Sequence, residues 1–377
     1  MLSYIEINKH NILHNIHVLT SQVAHGTLIM SVVKGNAYGH GLQEVVSMLD
    51  GSTDRFGIIS IEDLRALRKI TSKPALLLGY IAKDDLEEAV ALKGTLVVYD
   101  TERIVLLNDI GKRTGIKPIV HLKIDAALGR QGIMPEDLAQ FLADISPYTH
   151  VKIEGIYAHF ANIEDTEDFS HAQKQIDLFE QAKGIMRKHR YTQLITHIAS
   201  TAGTLVYERD KKANTMVRLG LGLYGMWPSP YISSQMKAKG LELKPALRWV
   251  THIAQVKSVP AAFTIGYGLT YKTPAPMTVA VVPQGYSDGY DRGLSNKGAV
   301  LIHGKRCAIL GRVAMNMFVV DVTHLQNVQT EDEVVLLGMQ GDETISAEEL
   351  AGNLDTINYE ITTRISPLLP RKIVTSF

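Results

Sequence analysis

Eight short runs of β-branched and aliphatic residues recur along the first 240 or so residues of the chain. They are TLIMSVV (27–33), FGIIS (56–60), ALLLG (75–79), TLVVY (95–99), PIVHLKI (118–124), KIEGIYAHF (152–160), LITHIA (194–199) and MVRLG (216–220). Continuous apolar strands need cover on both faces. Between them lie segments with helical spacing and start signals: Glu62 to Lys69 after Ser60, Asp84 to Leu92, and Ala172 to His189. This alternation predicts a parallel sheet with helices on its faces. An open doubly wound sheet is one such arrangement. Eight strand–helix units in this span fit a (β/α)₈ barrel of the TIM type better.

The pattern changes near Leu241. RWVTHIAQVKSV, MTVAVVPQGY, AVLIHGKRCAIL, MFVVDV and EVVLLG follow one another closely, with Gly and Pro turns between them. One helix interrupts them, Ser346 to Leu354, with Ser346 as cap and Glu349 placed to complete a capping box. The expected organisation is a barrel over residues 1–240 and an all-β domain over 241–377. The first strand-like stretch, SYIEIN, suits either domain.

The length of 377 residues suffices for one large and one smaller domain. Lys plus Arg and Asp plus Glu both number 39, a balance that argues against a nucleic-acid partner, which normally leaves a basic stripe. No apolar run approaches the ~20 residues of a membrane span, and MLSYIEINKHN lacks the order of a secretion signal. Cys307 is the single cysteine, so no internal disulfide forms and a reducing, cytoplasmic home is expected.

In a (β/α)₈ barrel the chemistry sits at the carboxyl ends of the strands. Here the first strand ends in Lys34, the fifth in Lys123 and Asp125 with Arg130 shortly after, and the sixth in His159. The seventh ends in Ser200 and Thr201, and the eighth in Arg218 followed by Gly220. Singly, each has a structural explanation: Lys123 as ion-pair partner of Asp125, His159 as a satisfied core histidine, Ser200 and Thr201 as helix caps. Together they describe one mouth lined with functional groups. Two lysines and two arginines against one carboxylate favour an anionic ligand, a phosphate or a carboxylate. The glycine-rich loop after Lys34 does not match GxxxxGK[ST], although amides at a helix N-terminus still suit a phosphate. No Cys cluster, HExxH or carboxylate array supports a metal, and His14 and His17 suit a helix surface. Cationic neighbours disfavour the charged form of a lysine and free its amine as a nucleophile. A lysine beside a phosphate site suggests a Schiff base with pyridoxal phosphate.

These residues carry a resemblance. VVKGNAYGHG is similar to the cofactor-lysine motif of bacterial alanine racemases, with Gly35 where Ala is usual. The likeness continues through HLKIDAALGRQG, EGIYAHFA, HIASTAGT, MVRLGLGLYG, IGYGLTY, VPQGYSDGYDR, GRVAMNMF and DTINYE, in order over essentially the whole chain. It implies a barrel followed by a β domain, in a cytoplasmic homodimer whose active sites draw on both subunits and whose substrate is a small amino acid. The implied reaction interconverts L- and D-alanine on pyridoxal 5'-phosphate, for D-alanine and peptidoglycan precursors. By the resemblance, Lys34 holds the cofactor and is one base, while Tyr267 from the partner subunit is the other. Tyr38, Thr201, Gly220, Leu221 and Tyr359 hold the phosphate, and Arg218, supported by His159, faces the pyridine nitrogen. Arg130 and the backbone N–H of Met315 bind the substrate carboxylate, and Lys123 matches a position carbamylated in many members.

Inversion needs a base on one face of the α-carbon and an acid on the other. A free phenol titrates near pH ~10, so a tyrosine base needs positive charge beside it. Ser200–Thr201 stand where Asn–Ser is common, Ala126–Ala127 where Thr–Gly is usual, Ala314 where Cys is frequent and Asn316 where Asp is. Alternatives on the same chemistry are a serine or broad-specificity racemase, an amino-acid decarboxylase of the same layout, and a pyridoxal-phosphate carrier without activity. A decarboxylase pairs the pyridine nitrogen with an acid, against which Arg218 speaks. A carrier made of the barrel alone leaves Tyr267 and Met315 without a purpose.

Overall fold

All eight runs are strands of one parallel sheet in the computed structural model, which describes residues 2–164, 166–207 and 214–377. The strands are Leu28–Val32, Arg55–Ile58, Ala75–Leu77, Gly94–Val98, Ile119–Lys123, Lys152–Tyr157, Ile195–His197 and Met216–Leu219. Each of the first six pairs with its successor in turn, which brings the sheet to Ile195–His197, and the eighth returns to pair with the first, Met30 opposite Arg218. The seam between the seventh and eighth is bridged by Thr215 N–H donating to Thr196 O and Arg218 N–H donating to Ala199 O, both 3.0 Å. Closure of the sheet explains the uninterrupted apolar runs, since helices cover the outside and side chains fill the inside.

The helices between strands begin where their caps dictate. Ser60 Oγ accepts from Asp63 N–H at 3.2 Å and starts Ile61–Arg68; Asp100 Oδ1 accepts from Arg103 N–H at 2.8 Å and starts Thr101–Thr114. The long helix Ser170–Lys188 stands where Ala172 to His189 was expected.

The chain divides into two compact units. One comprises Leu13–Gly35 and Val45–Lys244 and contains the barrel; the other comprises Met1–Ile12, Asn36–Glu44 and Pro245–Phe377. In the second unit the strand Tyr4–Asn8 lies between Leu247–His252, to which it runs antiparallel, and Arg371–Val374, to which it runs parallel. SYIEIN therefore belongs with this mostly antiparallel sheet. At its core Tyr290 stacks on Phe318 at 4.9 Å and meets Trp249 edge-on at 5.8 Å. Ser346 Oγ accepts from Glu349 N–H at 3.1 Å, which starts the helix Ala347–Leu354. The Glu349 carboxylate pairs with Arg306 instead of returning to the cap, so half of the expected capping box forms. A second short helix, Asn358–Thr363, was not expected: six residues are too few to show helical periodicity, and three of them are β-branched. It carries Tyr359.

The segment Asn36–Glu44 is fastened within this second unit. Arg371 donates to Gly39 O from Nη2 at 2.9 Å and from Nε at 3.2 Å. Gly39 has φ +86°, and a Cβ there would lie 1.9 Å from Thr362 O. Left-handed strain and overpacking cost ~1–3 kcal/mol each. Gly39→Ala is therefore expected to lower unfolding stability by about 3 kcal/mol or more, read from the urea midpoint. An unchanged midpoint would show that this segment is not fastened there.

Candidate active site

Arg218, on the last barrel strand, is 5% exposed and held from several sides. Its Nη1 donates to His197 Nδ1 at 2.7 Å and to His197 O at 3.0 Å. Nη2 donates to His159 Nδ1 and Ala158 O, both 3.0 Å, and to Ile198 O at 2.9 Å. A guanidinium has only donors, so both imidazoles present lone pairs to it. Burial first, and then the Arg218 charge, push the pKa of each histidine well below its ordinary value, so both are neutral. His159 is thus satisfied, as its structural explanation held, and also serves the arginine.

Lys34 follows the first strand and opens a single turn, Lys34–Tyr38. Gly35, Asn36, Ala37 and Tyr38 have φ of +62°, +53°, +52° and +55°, a left-handed turn. Such backbone costs ~1–2 kcal/mol for each residue with a Cβ, and Gly35 is exempt from that cost at the step next to the lysine. Hydrogen bonds hold the turn: Leu42 N–H donates to Asn36 Oδ1 at 2.9 Å, and His40 Nδ1–H donates to Tyr38 O at 3.0 Å. Burial lowers the Lys34 pKa, and Arg130 and Arg218 lower it further. Strained backbone and a depressed amine pKa together mark functional positions.

Lys123, 4% exposed, is pushed down to about 8 by burial, then by Arg130 and Arg218. The structure corrects the expected Lys123–Asp125 ion pair. The Asp125 carboxylate instead accepts from the N–H groups of Leu128 at 2.8 Å, Gly129 at 3.0 Å and Arg130 at 3.0 Å. These bonds shape the loop that presents Arg130. Lys123 Nζ donates to Gln131 Oε1 at 3.2 Å, and Gln131 Nε2 donates to Tyr99 Oη at 3.2 Å.

Ser200 stands at the N-cap of Thr201–Val206 but makes no side-chain cap bond. The buried Thr201 Oγ1 accepts from Gly220 N–H at 3.1 Å and Gly222 N–H at 3.4 Å, tying this helix start to that of the Leu221–Tyr224 turn. First-turn amides have no acceptor inside their own helix. Two such starts joined at one hydroxyl suit an anion. Gly222 closes the packing, since a Cβ there would sit 2.7 Å from Thr201 Cγ2.

The second unit holds the other expected residues. Tyr38 and Tyr359 pack with ring centroids 6.1 Å apart. Tyr267, 76% exposed, lies on the tip between Thr264–Ile265 and Tyr271–Lys272. It lines a recess of about 530 Å³ with Tyr286, Arg292, Arg312 and Met315. Met315 is 54% exposed, and its carbonyl accepts from Ser287 N–H at 3.0 Å and Ser287 Oγ at 2.8 Å.

The barrel mouth brings Lys34, Lys123 and His159 within electrostatic reach of Arg130 and Arg218, both of which lower the pKa of all three. His121, Glu154, His197, Gln131 and Gln175 were not singled out from the sequence. The signal was present as polar letters inside apolar strands, in PIVHLKI, KIEGIYAHF and LITHIA. Buried Gln175 accepts from Ala161 N–H at 2.8 Å and donates to Ala126 O at 2.8 Å and His159 O at 3.1 Å, joining the ends of two strands. Among the described residues no cluster of three His, Cys, Asp or Glu is placed to hold a metal, and no helix is long and apolar enough to cross a membrane. An amine held toward its neutral form, anion-seeking amides and a fixed guanidinium fit an anionic aldehyde cofactor such as pyridoxal phosphate.

Known proteins resemble the chain over nearly its whole length. Residues 7–228 match the family model of the alanine racemase N-terminal domain, and residues 246–373 match that of the C-terminal domain. Alanine racemase of Leptospira interrogans is 35% identical over 99% of this chain and 96% of its own. That of Carboxydothermus hydrogenoformans is 37% identical over 97% of this chain and 98% of its own. The solved alanine racemase of Clostridium difficile 630 superposes with a TM-score of 0.92 at 30% identity, covering 99% of this chain and 96% of that one. The fold together with these relatives defines an isomerase of the barrel-plus-β type. The chain belongs to the alanine racemase family.

The Lys123 pKa has a consequence for stability. The unfolded chain binds a proton at this group up to pH 10.5, the folded chain only up to about 8. Between these values the unfolded state holds more protons, so stability rises with pH there and the cost is fully present below about 8. Lys123→Met is expected to remove that rise, of order 3 kcal/mol over the whole interval, in denaturation of the apoprotein in carbonate-free buffer. A rise of equal size in the variant would contradict the assignment.

Proposed function

We propose that this chain interconverts L- and D-alanine with pyridoxal 5'-phosphate, using Lys34 and Tyr267 as two bases. The observation that carries the reading is the Lys34 amine, brought toward its neutral form by burial and by Arg130 and Arg218, in a member of this family. When bound, the cofactor supplies a conjugated ring that accepts the electron pair left on the substrate α-carbon.

The chain's own groups divide the remaining work. Lys34 Nζ holds the cofactor aldehyde and moves a proton at one face of the α-carbon. The Tyr267 phenol of a second copy moves the proton at the other face, with Arg312 and Arg292, which line its recess, as the neighbouring positive charge. Thr201, Gly220 and Leu221 would hold the phosphate, a role the resemblance also gives to Tyr38 and Tyr359. Arg218 would face the ring nitrogen; as a guanidinium that does not readily give up a proton, it would leave that nitrogen unprotonated and so would limit side reactions. His159 supports that arginine. Arg130 and the Met315 N–H hold the substrate carboxylate; the Bacillus anthracis alanine racemase, 31% identical, was solved with bound L-Ala-P. Lys123, with its pKa near 8, has a neutral fraction able to add carbon dioxide as a carbamate that orients Arg130.

A homodimer with shared sites is favoured by the exposed Tyr267, Leu269, Tyr286, Met315 and Met317 of the second unit, an apolar set that calls for cover. A cytoplasmic place and a role in supplying D-alanine for peptidoglycan precursors accord with this chemistry. Retained Met315 favours alanine over serine as substrate.

Borohydride reduction of the cofactor-loaded protein, followed by peptide mapping, is expected to find the pyridoxyl group on Lys34; labelling at another lysine would overturn the assignment. Lys34→Ala and Tyr267→Phe should each racemise L-alanine at a small fraction of the parent rate. Heterodimers of the two should recover activity, and L-alanine should be turned over faster than L-serine. Heterodimers that form but stay inactive would rule out sites shared between subunits.

A further inference from the structure

The interior of a (β/α)₈ barrel is ordinarily filled by layers of branched apolar side chains. Here a hydrogen-bonded chain of polar groups, buried except at the half-buried Glu154, occupies part of it. His121 and His197 are both wholly buried. Read outward from Arg218, whose Nη1 donates to His197 Nδ1 at 2.7 Å, every bond of the chain runs in one direction. Neutral His197 with its lone pair on Nδ1 carries its hydrogen on Nε2, which lies 2.9 Å from His121 Nδ1. His121 accepts there, so its own hydrogen is on Nε2, 3.2 Å from Glu154 Oε2. Arg55 Nη1 donates to the same carboxylate oxygen at 3.0 Å, and Lys152 Nζ lies 3.7 Å from the other oxygen.

The surroundings are built to keep this chain. The Tyr157 ring stacks on His197 at 4.8 Å, with an interplanar angle of 5°. A Cβ at Gly155 would fall 2.7 Å from both Cε1 and Nδ1 of His121, so the strand leaves out a side chain where the imidazole sits. Buried polar chains of this kind add little stability compared with apolar packing. What this one supplies is a direction, because a carboxylate accepts only from a donor and so dictates which nitrogen of His121, and hence of His197, bears hydrogen.

We propose that Glu154 is a positioning residue for Arg218, acting through His121 and His197 to keep a lone pair on His197 Nδ1 aimed at the guanidinium. Reversal of the chain would set an N–H of His197 against an N–H of Arg218 and release the guanidinium. The effect on the cofactor rests on the reading that Arg218 faces its ring nitrogen; the hydrogen-bond direction does not rest on it.

Glu154→Gln and Glu154→Leu separate this role from the ion pair with Arg55. Both variants lose the charge, but the Gln carbonyl still accepts from His121 Nε2–H and Leu cannot. Histidine ¹⁵N spectra of the cofactor-loaded protein at neutral pH are expected to show His121 and His197 neutral with hydrogen on Nε2, in the parent and in Glu154→Gln. Glu154→Leu should show a changed tautomer at His197, a shifted visible absorbance of the bound cofactor, and kcat lower by about tenfold to a hundredfold, the size of one hydrogen bond to a charged group. KM should move far less than kcat. Hydrogen on Nδ1 of either histidine in the parent protein would overturn the proposal, whether or not Glu154→Leu folds. So would Gln and Leu variants that behave alike. A parent protein that binds no pyridoxal phosphate would sink the cofactor reading, while the same histidine spectra would still decide the relay.

Discussion

One buried guanidinium organises the barrel mouth. Arg218 is caged by three backbone carbonyls and two imidazole lone pairs. A fixed, permanent positive charge in a dry site acts on every titratable group around it. It contributes to the lowered pKa of Lys34, Lys123, His159 and His197. The Lys34 amine is thereby shifted toward neutrality, and the imidazoles that accept from Arg218 are kept uncharged. The cage is possible because the seventh and eighth strands close the barrel at this point, with Arg218 N–H itself donating to Ala199 O at 3.0 Å. Fold closure and site electrostatics thus meet at one residue.

The architecture was largely legible in the sequence because it rests on periodicity. Strands apolar on both faces and start signals such as Ser60 translate directly into hydrogen-bonded elements. The groups at the strand ends were legible for a similar reason, since a barrel assigns its mouth to those positions. Two kinds of feature were not. His121, His197 and Glu154 sit within strands, where a single polar letter reads as an irregularity until the closed sheet brings three strands together. The left-handed turn after Lys34 has no periodic signature either, and Asn36, Ala37 and Tyr38 adopt a conformation that side-chain hydrogen bonds of Asn36 and His40 hold. The Lys123–Asp125 pairing failed because adjacency in sequence said nothing of three loop amides competing for the same carboxylate.

Departures from the family pattern find physical room. Ala127, where glycine is usual, sits at φ +62°, and its carbonyl accepts from His171 Nε2–H at 3.1 Å, while Ala126 O accepts from Gln175 at 2.8 Å. The helix Ser170–Lys188 thus holds the Arg130 loop in a shape that the alanine alone would resist. Thr201 in place of serine keeps its hydroxyl bonded to Gly220 and Gly222.

The two-base proposal puts the amine of Lys34 and the phenol of Tyr267 on opposite faces of the same carbon. The most direct measurement is α-hydrogen exchange in D₂O by the Tyr267→Phe protein, followed by proton NMR of each alanine isomer. With Tyr267 as the base for the L-isomer and Lys34 for the D-isomer, D-alanine should exchange its α-hydrogen without inverting, while L-alanine should do neither. Equal exchange of both isomers, or inversion at the parent rate, would contradict it.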